Sequence, residues 1–360
     1  MTEQDQTAEN RSEIVFVYDA VDCNPNGNPL SAGDRPRIDP QTQQAIVTDV
    51  RLKRYLRDQL DDDGHGVYIR NVKKGDILDD VDEDDKDDQA ERKHLLRDRI
   101  KNTEYEDYDS KEEYAQAIFG EFLENSADVR YFGATMSVDT DNDNIADALP
   151  DHFTGPVQFS PGKTLHAVNE NENYDSLTSV IATKEDKEQG GFALDDHRIQ
   201  YGLIAFHGLV DENGAEDTKL KEEDVRRLDT LCWRALKNQT VTRSKVGQEP
   251  RLYMRVEYAD DSYHIGGLQR SLSLGEGSKP DDELRSIDDL ELDITEVVER
   301  LDNHSDRIEE VRVTTSDVVK FRDGDETGDE ELLHESLENA VGGDKVDMID
   351  VYDEFQSRTE

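Results

Sequence analysis

The chain has 360 residues, 87 Asp and Glu against 42 Lys and Arg, a formal net charge of -45, and only 34% hydrophobic residues. Its length allows one large domain or two smaller ones, and it lacks a run of about 18 apolar residues that could span a membrane. Acid covers nearly every surface-like segment and Arg (25) outnumbers Lys (17), a composition that fits a salt-rich cytoplasm and argues for solvent adaptation more than for a ligand. At about 1 M salt the Debye length is only about 3 Å, so distant carboxylates hardly oppose a local phosphate contact.

In chain order, residues 1–12 read as a disordered polar tail without the apolar region of a secretory signal. Ile14 to Val21 reads as a buried strand, rich in Val, Ile and aromatic residues. A turn-rich loop follows, Asn24-Pro25-Asn26-Gly27-Asn28-Pro29. Thr48 can cap a helix running to about Leu60, with Leu52, Leu56 and Leu60 at helical spacing. Val67 to Val72 is a short strand candidate. Residues 73–128 look like an acidic helical insertion, with Tyr114, Ile118 and Phe122 along one face. Val129 to Val138 reads as a strand. Gly155 to Val168 reads as a hairpin arm or a protruding loop, part of a thumb-like insertion over about 136–170. Ile199 to Val210 is a second apolar strand, Thr218 opens a helix to about Asn238, and Arg251 to Tyr258 is a strand. A short strand pair is expected near Val311 and Phe321. Residues 271–360 read as an acidic C-terminal extension packing on the rest.

Without the insertions, this order is a split β-α-β layout. The expected fold class is α+β, with a ferredoxin-like palm over 13–270. That architecture serves many functions, so it decides none. The aromatic signature of ordinary RNA-recognition motifs is not visible.

Function is sought where acid is missing. Arg35 to Arg57 holds six basic residues (Arg35, Arg37, Arg51, Lys53, Arg54, Arg57) against Asp39 and Asp49. His152 to Asn169 holds no acid, with Lys163 and His166 inside it. Arg226 to Arg255 holds eight basic residues against Asp229 and Glu249, in and around a loop with Arg243, Ser244 and Lys245. Three such windows beside turns or strands favour a shared anionic ligand. The first has a ready mechanism: Gly27 and the Asn side chains permit a turn that exposes backbone amides. Arg35 and Arg37 add charge-assisted bonds, and the amides and dipole of the Thr48 helix add more. By contrast, Asp79 to Asp88 holds eight acids in ten residues and reads as a solvated face.

Other chemistry finds little support. No nucleotide-binding glycine loop, nucleophile elbow or HExxH is present. Cys23 and Cys232 match no metal or disulfide spacing, which suggests a reduced, intracellular protein. Asp139 to Asp147 resembles the start of a calcium loop but has Asn144 where the glycine belongs and Pro150 where the terminal Glu belongs. Asp22 alone is thin evidence for two-metal chemistry, which needs several converging ligands. No metal and no cofactor are expected.

Three stretches, "VYDAVDCNPNGNPLSAGDRPRIDPQTQQAIVTDVRLKRYLRD", "FTGPVQFSPGKTLHAV" and "TVTRSKVGQEPRLYMRVEY", together resemble the CRISPR-associated Cas-seven family, the backbone subunit of Cascade, in its subtype I-B (Hmari) form. The resemblance implies an RNA-recognition-like palm and binding of CRISPR RNA by many copies stacked head to tail. Such contacts need not close, so an open helical filament follows. It implies that target DNA is reached through the guide, that other Cascade subunits are partners, and that no membrane is involved. It implies RNA contacts at Asn24, Asn26, Asn28, Arg35, Arg37, Thr48, Arg51, Lys53 and Arg54, at Ser160, Lys163 and His166, and at Arg243, Ser244 and Lys245. It also implies a non-enzymatic, cytoplasmic scaffold. The alternative is a metal-dependent ribonuclease of the related type III kind, with Asp22 as its carboxylate.

Overall fold

The computed structural model describes residues 6–27, 35–79, 81–103, 107–136, 150, 152–171, 177–179, 192–194, 197–239 and 246–355. The chain is a mixed α+β structure. Its elements used below are, in order, β1 (Ser12–Cys23), β2 (Ile46–Val47), α1 (Asp49–Asp62), α2 (Arg92–Arg99), α3 (Lys111–Glu124), α4 (Ala127–Phe132), β3 (Val157–Phe159), β4 (Gly162–Thr164), β5 (Ile199–Val210), α5 (Glu222–Lys237), β6 (Gln248–Tyr258), β7 (Ile308–Thr315) and β8 (Val346–Met348).

The main sheet has the order β8-β7-β6-β1-β5-β4-β2, and β3 also pairs with β5. All these pairs are antiparallel except β7 with β8. β1 lies in the middle and is buried on both faces, which explains its unbroken run of Ile14, Val15, Phe16, Val17 and Tyr18. Side chains alternate across a strand. Ile14, Phe16 and Tyr18 therefore meet α1 and α5 on one side, through Leu52, Leu56, Leu228 and Leu231. Val15 and Val17 meet the C-terminal residues Leu290, Leu301, Phe321 and Leu337 on the other. A third apolar cluster holds α2, α3 and α4 together around Tyr68, Ile118, Phe122 and Phe153.

α1 starts where the sequence places it. The Thr48 hydroxyl accepts the Arg51 amide, and Leu52, Leu56 and Leu60 are buried. Several other elements differ from expectation. Residues 67–72 form no strand, because the amides of Tyr68 and Ile69 donate to the buried Asp128 carboxylate at 2.7 and 3.1 Å. Residues 127–132 are helical, and only Gly133–Thr135 is extended, paired with His152–Thr154. The segment expected to protrude as a hairpin arm instead supplies β3 and β4 to the main sheet. Thr218 ends a short helix, Glu212–Thr218, and α5 begins after Lys219 in the left-handed region. The strands near Val311 and Phe321 do not pair with each other. The tail is fixed from Thr7 onward: Ala8 is buried, its amide donates to the Leu220 carbonyl at 2.8 Å, and Thr7 bridges Lys221. The calcium-like run 139–147 lies outside the described residues.

Buried charge holds the layers together. Glu13 is fully buried on β1, and its carboxylate receives His207 Nε2 (2.8 Å), the Tyr258 hydroxyl (2.9 Å) and the amides of Gly266 (2.8 Å) and Leu268 (3.0 Å). Burial alone would raise its pKa, but His207 and the two amides bring it down to about 2 from 4.5. A depression of that size stabilises the fold by roughly 3 kcal/mol at neutral pH. The contribution is complete above about pH 4.5 and is lost as the pH falls toward 2. Melting curves of the native protein and Glu13→Gln should therefore lie apart at neutral pH and converge as the pH falls through that window. A constant separation down to pH 2 would contradict the account.

Candidate nucleic-acid interface

The end of β1 runs into a turn that α1 shapes from behind. The Gly27 amide donates to the Asn24 carbonyl at 3.0 Å and closes the turn. The Asn26 side-chain oxygen accepts the Thr48 amide (3.2 Å) and hydroxyl (3.1 Å), which ties the turn to the start of α1. Arg51 Nη2 donates to the Gly27 carbonyl (2.9 Å) and reaches the Asn26 carbonyl (3.4 Å). The Tyr55 hydroxyl donates to the Pro25 carbonyl at 3.2 Å. Asn24 is buried beneath the turn and Asn26 is half-buried. Asn28 lies outside the described residues.

The chain then reappears with Arg35 and Arg37, both exposed. The Ile46 amide donates to the Arg37 carbonyl at 2.7 Å, and Ile46 is opposite Lys163 on β4. Directly opposed residues share a face of a sheet, so Arg37 and Lys163 flank Ile46 on one face, and Lys163 is exposed. The first two acid-poor windows thus meet along one sheet edge. The Ala45 amide bonds the Thr164 hydroxyl at 3.0 Å, and Lys53 Nζ bonds Gln158 Oε1 at 2.7 Å.

The other proposed contacts divide. Arg54 is exposed and, among the described residues, is held by Asp58, one turn on, at 2.7 Å. Such a surface pair is worth about 0.3–0.5 kcal/mol and yields easily to a phosphate. Lys53 is half-buried between Gln158, Asp49 and the Phe132 ring, and burial lowers its pKa. Ser160 is half-buried, with its amide on the His207 carbonyl at 2.8 Å. His166 must be withdrawn as a ligand contact. It is 3% exposed, its Nε2 accepts the Leu203 amide (3.1 Å), Nδ1 therefore carries the proton toward the Ala167 carbonyl (2.8 Å), and its ring stacks on Tyr201. Burial lowers its pKa, so it is a neutral core histidine.

The third window reads differently in three dimensions. Its arginines are occupied by acids distant in sequence: Arg234 by Asp63 (2.8 Å), Arg251 by Asp19 (3.0 Å), and Arg255 by Asp229 (2.7 Å). Arg227 is held by Asp224 within the same helix. Arg243, Ser244 and Lys245 lie outside the described residues, but their flank is fixed. Gly247 has φ +106° and passes so close to β1 that a Cβ would sit 2.3 Å from the Val21 carbonyl oxygen. The Gly247 carbonyl accepts the Val21 amide at 2.8 Å, and Gln248 is opposite Ala20. The 24–27 turn and the flank of the 240–247 loop thus share one end of the sheet.

Asp22 has φ +48°, its carboxylate accepts Asn171 Nδ2 (2.8 Å) and its carbonyl accepts Arg198 Nη1 (2.8 Å). Those bonds suit a turn at a strand end. Among the described residues no group of three or more His, Cys, Asp or Glu is placed to hold a metal ion, and no helix is long and apolar enough to cross a membrane. Two features were missed. α2 carries exposed Arg92, Lys93 and Arg97, which the same search for missing acid could have found. Tyr55 carries no charge and gives that search no signal.

A model of the CRISPR-associated protein Cas7 family matches residues 10–295. A curated protein of Haloferax volcanii, "CRISPR-associated protein Cas7", is 48% identical over 356 residues, covering 97% of this chain and 98% of that protein. Two solved structures were also compared. A chain of a "CRISPR RNA-guided surveillance complex, pre-nicking" has a TM-score of 0.49 and 14% identity, covering 92% of this chain and 100% of that one. A chain of a "CRISPR RNA-guided surveillance complex" has a TM-score of 0.40 and 12% identity, covering 86% and 91%. The family match over most of the sequence and the near full-length relative agree with the three stretches read in the sequence, and the chain belongs to the CRISPR-associated protein Cas7 family.

Proposed function

We propose that this protein is the backbone subunit of a surveillance complex of subtype I-B and that it binds CRISPR RNA along its length in many head-to-tail copies. The observation that carries this reading is the one sheet edge where exposed Arg37 and Lys163 meet beside a preset turn, with exposed Arg35 two residues before Arg37, on a chain of net charge -45. Family membership supplies the class of ligand. Asn24, Asn26 and Thr48 shape the turn, Arg35, Arg37, Arg54 and Lys163 meet phosphates, and Arg243, Ser244 and Lys245 add contacts to the same RNA.

A ferredoxin-like palm fits this role. The order β6-β1-β5-β4, with α1 after β1 and α5 between β5 and β6, supports that topology. Residues 73–128 are its helical insertion and residues 271–360 its C-terminal extension. Within the extension, Leu290, Leu301, Phe321 and Leu337 cover the face opposite α1 and α5, while Ile349 and Val351 join the cluster on the α1 and α5 side. The protein works in the cytoplasm as a scaffold without catalysis of its own. Its partners are guide RNA, further copies of itself, other Cascade subunits, and target DNA through base pairing with the guide.

The test is to purify the protein in high salt from its native host and to sequence the nucleic acid that accompanies it. Short RNAs of repeat-spacer origin are expected. A folded protein free of RNA would overturn the reading.

A further inference from the structure

The turn after β1 turns three successive carbonyls toward α1: Pro25 to the Tyr55 hydroxyl, and Asn26 and Gly27 to Arg51 Nη2. Arg51 and Tyr55 stand one helical turn apart, so both side chains leave the same face of α1. The Arg51 guanidinium lies 5.9 Å from the Tyr55 ring centre. Tyr55 is 3% exposed, and burial raises its pKa, so its hydroxyl stays a donor. One buried phenol therefore links the turn to the first helix.

This geometry changes the role that charge alone gives to Arg51. A guanidinium whose Nη2 is directed at two backbone carbonyls is aimed at the turn rather than away from the protein. We propose that Arg51 and Tyr55 are positioning residues: they set the 25–27 turn from behind and act on a bound RNA strand only through it. Arg35 and Arg37, exposed farther along the same loop, are the residues that meet phosphate. The inference rests on the RNA-binding reading above.

Salt separates the two roles. Each phosphate that a side chain neutralises adds about 0.7 to the slope of log affinity against log salt for a single strand. A positioning residue weakens binding at every salt concentration and leaves that slope alone. The measurement uses the full-length protein, a fluorescently labelled single-stranded RNA of mixed sequence, and a KCl series in which each variant keeps the native circular dichroism. Tyr55→Phe keeps the buried ring and loses only the hydroxyl. It should bind about two- to tenfold more weakly with the native slope. Arg51→Gln should also weaken binding at unchanged slope, while Arg37→Ala should lower the slope by about 0.7.

If Arg51→Gln lowers the slope as Arg37→Ala does, Arg51 meets phosphate itself and the inference is overturned. Native affinity in Tyr55→Phe overturns it equally, and decides the matter alone if Arg51→Gln does not fold. If the unaltered protein binds the RNA nowhere in the series, the RNA-binding reading has failed and the inference falls with it. That outcome is distinct, because no variant then has a slope to compare.

Discussion

Asp229→Asn is expected to lower the melting temperature by roughly 4–7 °C. Asp229 is completely buried on α5 and receives donors from three residues. Arg255 Nε and Nη2 lie at 2.7 and 3.0 Å, Arg312 Nε at 2.6 Å and the Tyr253 hydroxyl at 2.8 Å. Burial alone would raise the Asp229 pKa, but the guanidiniums of Arg255 and Arg312 and the Tyr253 hydroxyl hold it below the usual carboxylate range. Arg255 is itself fully buried. Removing one partner of a buried ion pair costs about 3–5 kcal/mol, an upper figure here because Arg255 keeps Glu257 and Arg312 keeps Asp347 and Glu354. Here one carboxylate serves two guanidiniums, on β6 and β7, so its loss loosens α5 from two neighbouring strands at once. The exposed pair Arg54–Asp58 is the control: Asp58→Asn should change the melting temperature by no more than about 2 °C. Buried pairs are little screened by salt, so the Asp229→Asn deficit should persist in molar KCl. A deficit that disappears as KCl rises would show that the network acts as a surface pair.

The second large effect is on binding. Reversing charge at Arg35→Glu and Arg37→Glu together should weaken single-stranded RNA binding at least about 100-fold. Each removed charge-assisted contact is worth about 1.5–3 kcal/mol. The salt slope should shrink by about 1.4 for the two lost contacts. Both side chains are exposed, so the melting temperature should stay within about 1 °C of the native value. Binding within threefold of the unaltered protein would remove these two arginines from the interface.

Sequence reading succeeded where a local signal was complete. β1 and β5 are runs of apolar residues buried by the layers around them, β6 is a strand of alternating character, and Thr48 with its leucine spacing marks α1. It failed where the decisive partner lies far along the chain. Tyr68 and Ile69 look like a strand but give their amides to Asp128. α4 is buried on all sides, so it shows no helical period to read. Gly155 to Val168 looks like a hairpin arm because β5, the strand it joins, comes some forty residues later. Counting charge has the same blindness. It grouped Arg234, Arg251 and Arg255 with a ligand site when Asp63, Asp19 and Asp229 already held them. It also placed His166 at an interface when its ring is in the core. In the first two windows, Arg35, Arg37, Arg54 and Lys163 remain exposed.

The position of β1 has a consequence for synthesis. The central strand emerges from the ribosome first, yet both of its neighbours come late: Ser12 pairs with Val210 on one side and Glu257 on the other. The Glu13 carboxylate awaits the Tyr258 hydroxyl across 245 residues. At translation rates of about 5–20 residues per second, that is a delay of roughly 12–50 s. Until β5 is made, the apolar run from Ile14 to Tyr18 has no partner strand, and until β6 follows, one of its edges stays unpaired. The cluster of α2, α3 and α4, whose members are close in sequence, can form meanwhile. The nascent chain therefore builds its peripheral helical cluster first and its central sheet last. A stalled chain ending before residue 258 would present an unpaired hydrophobic strand edge to its neighbours on the same message.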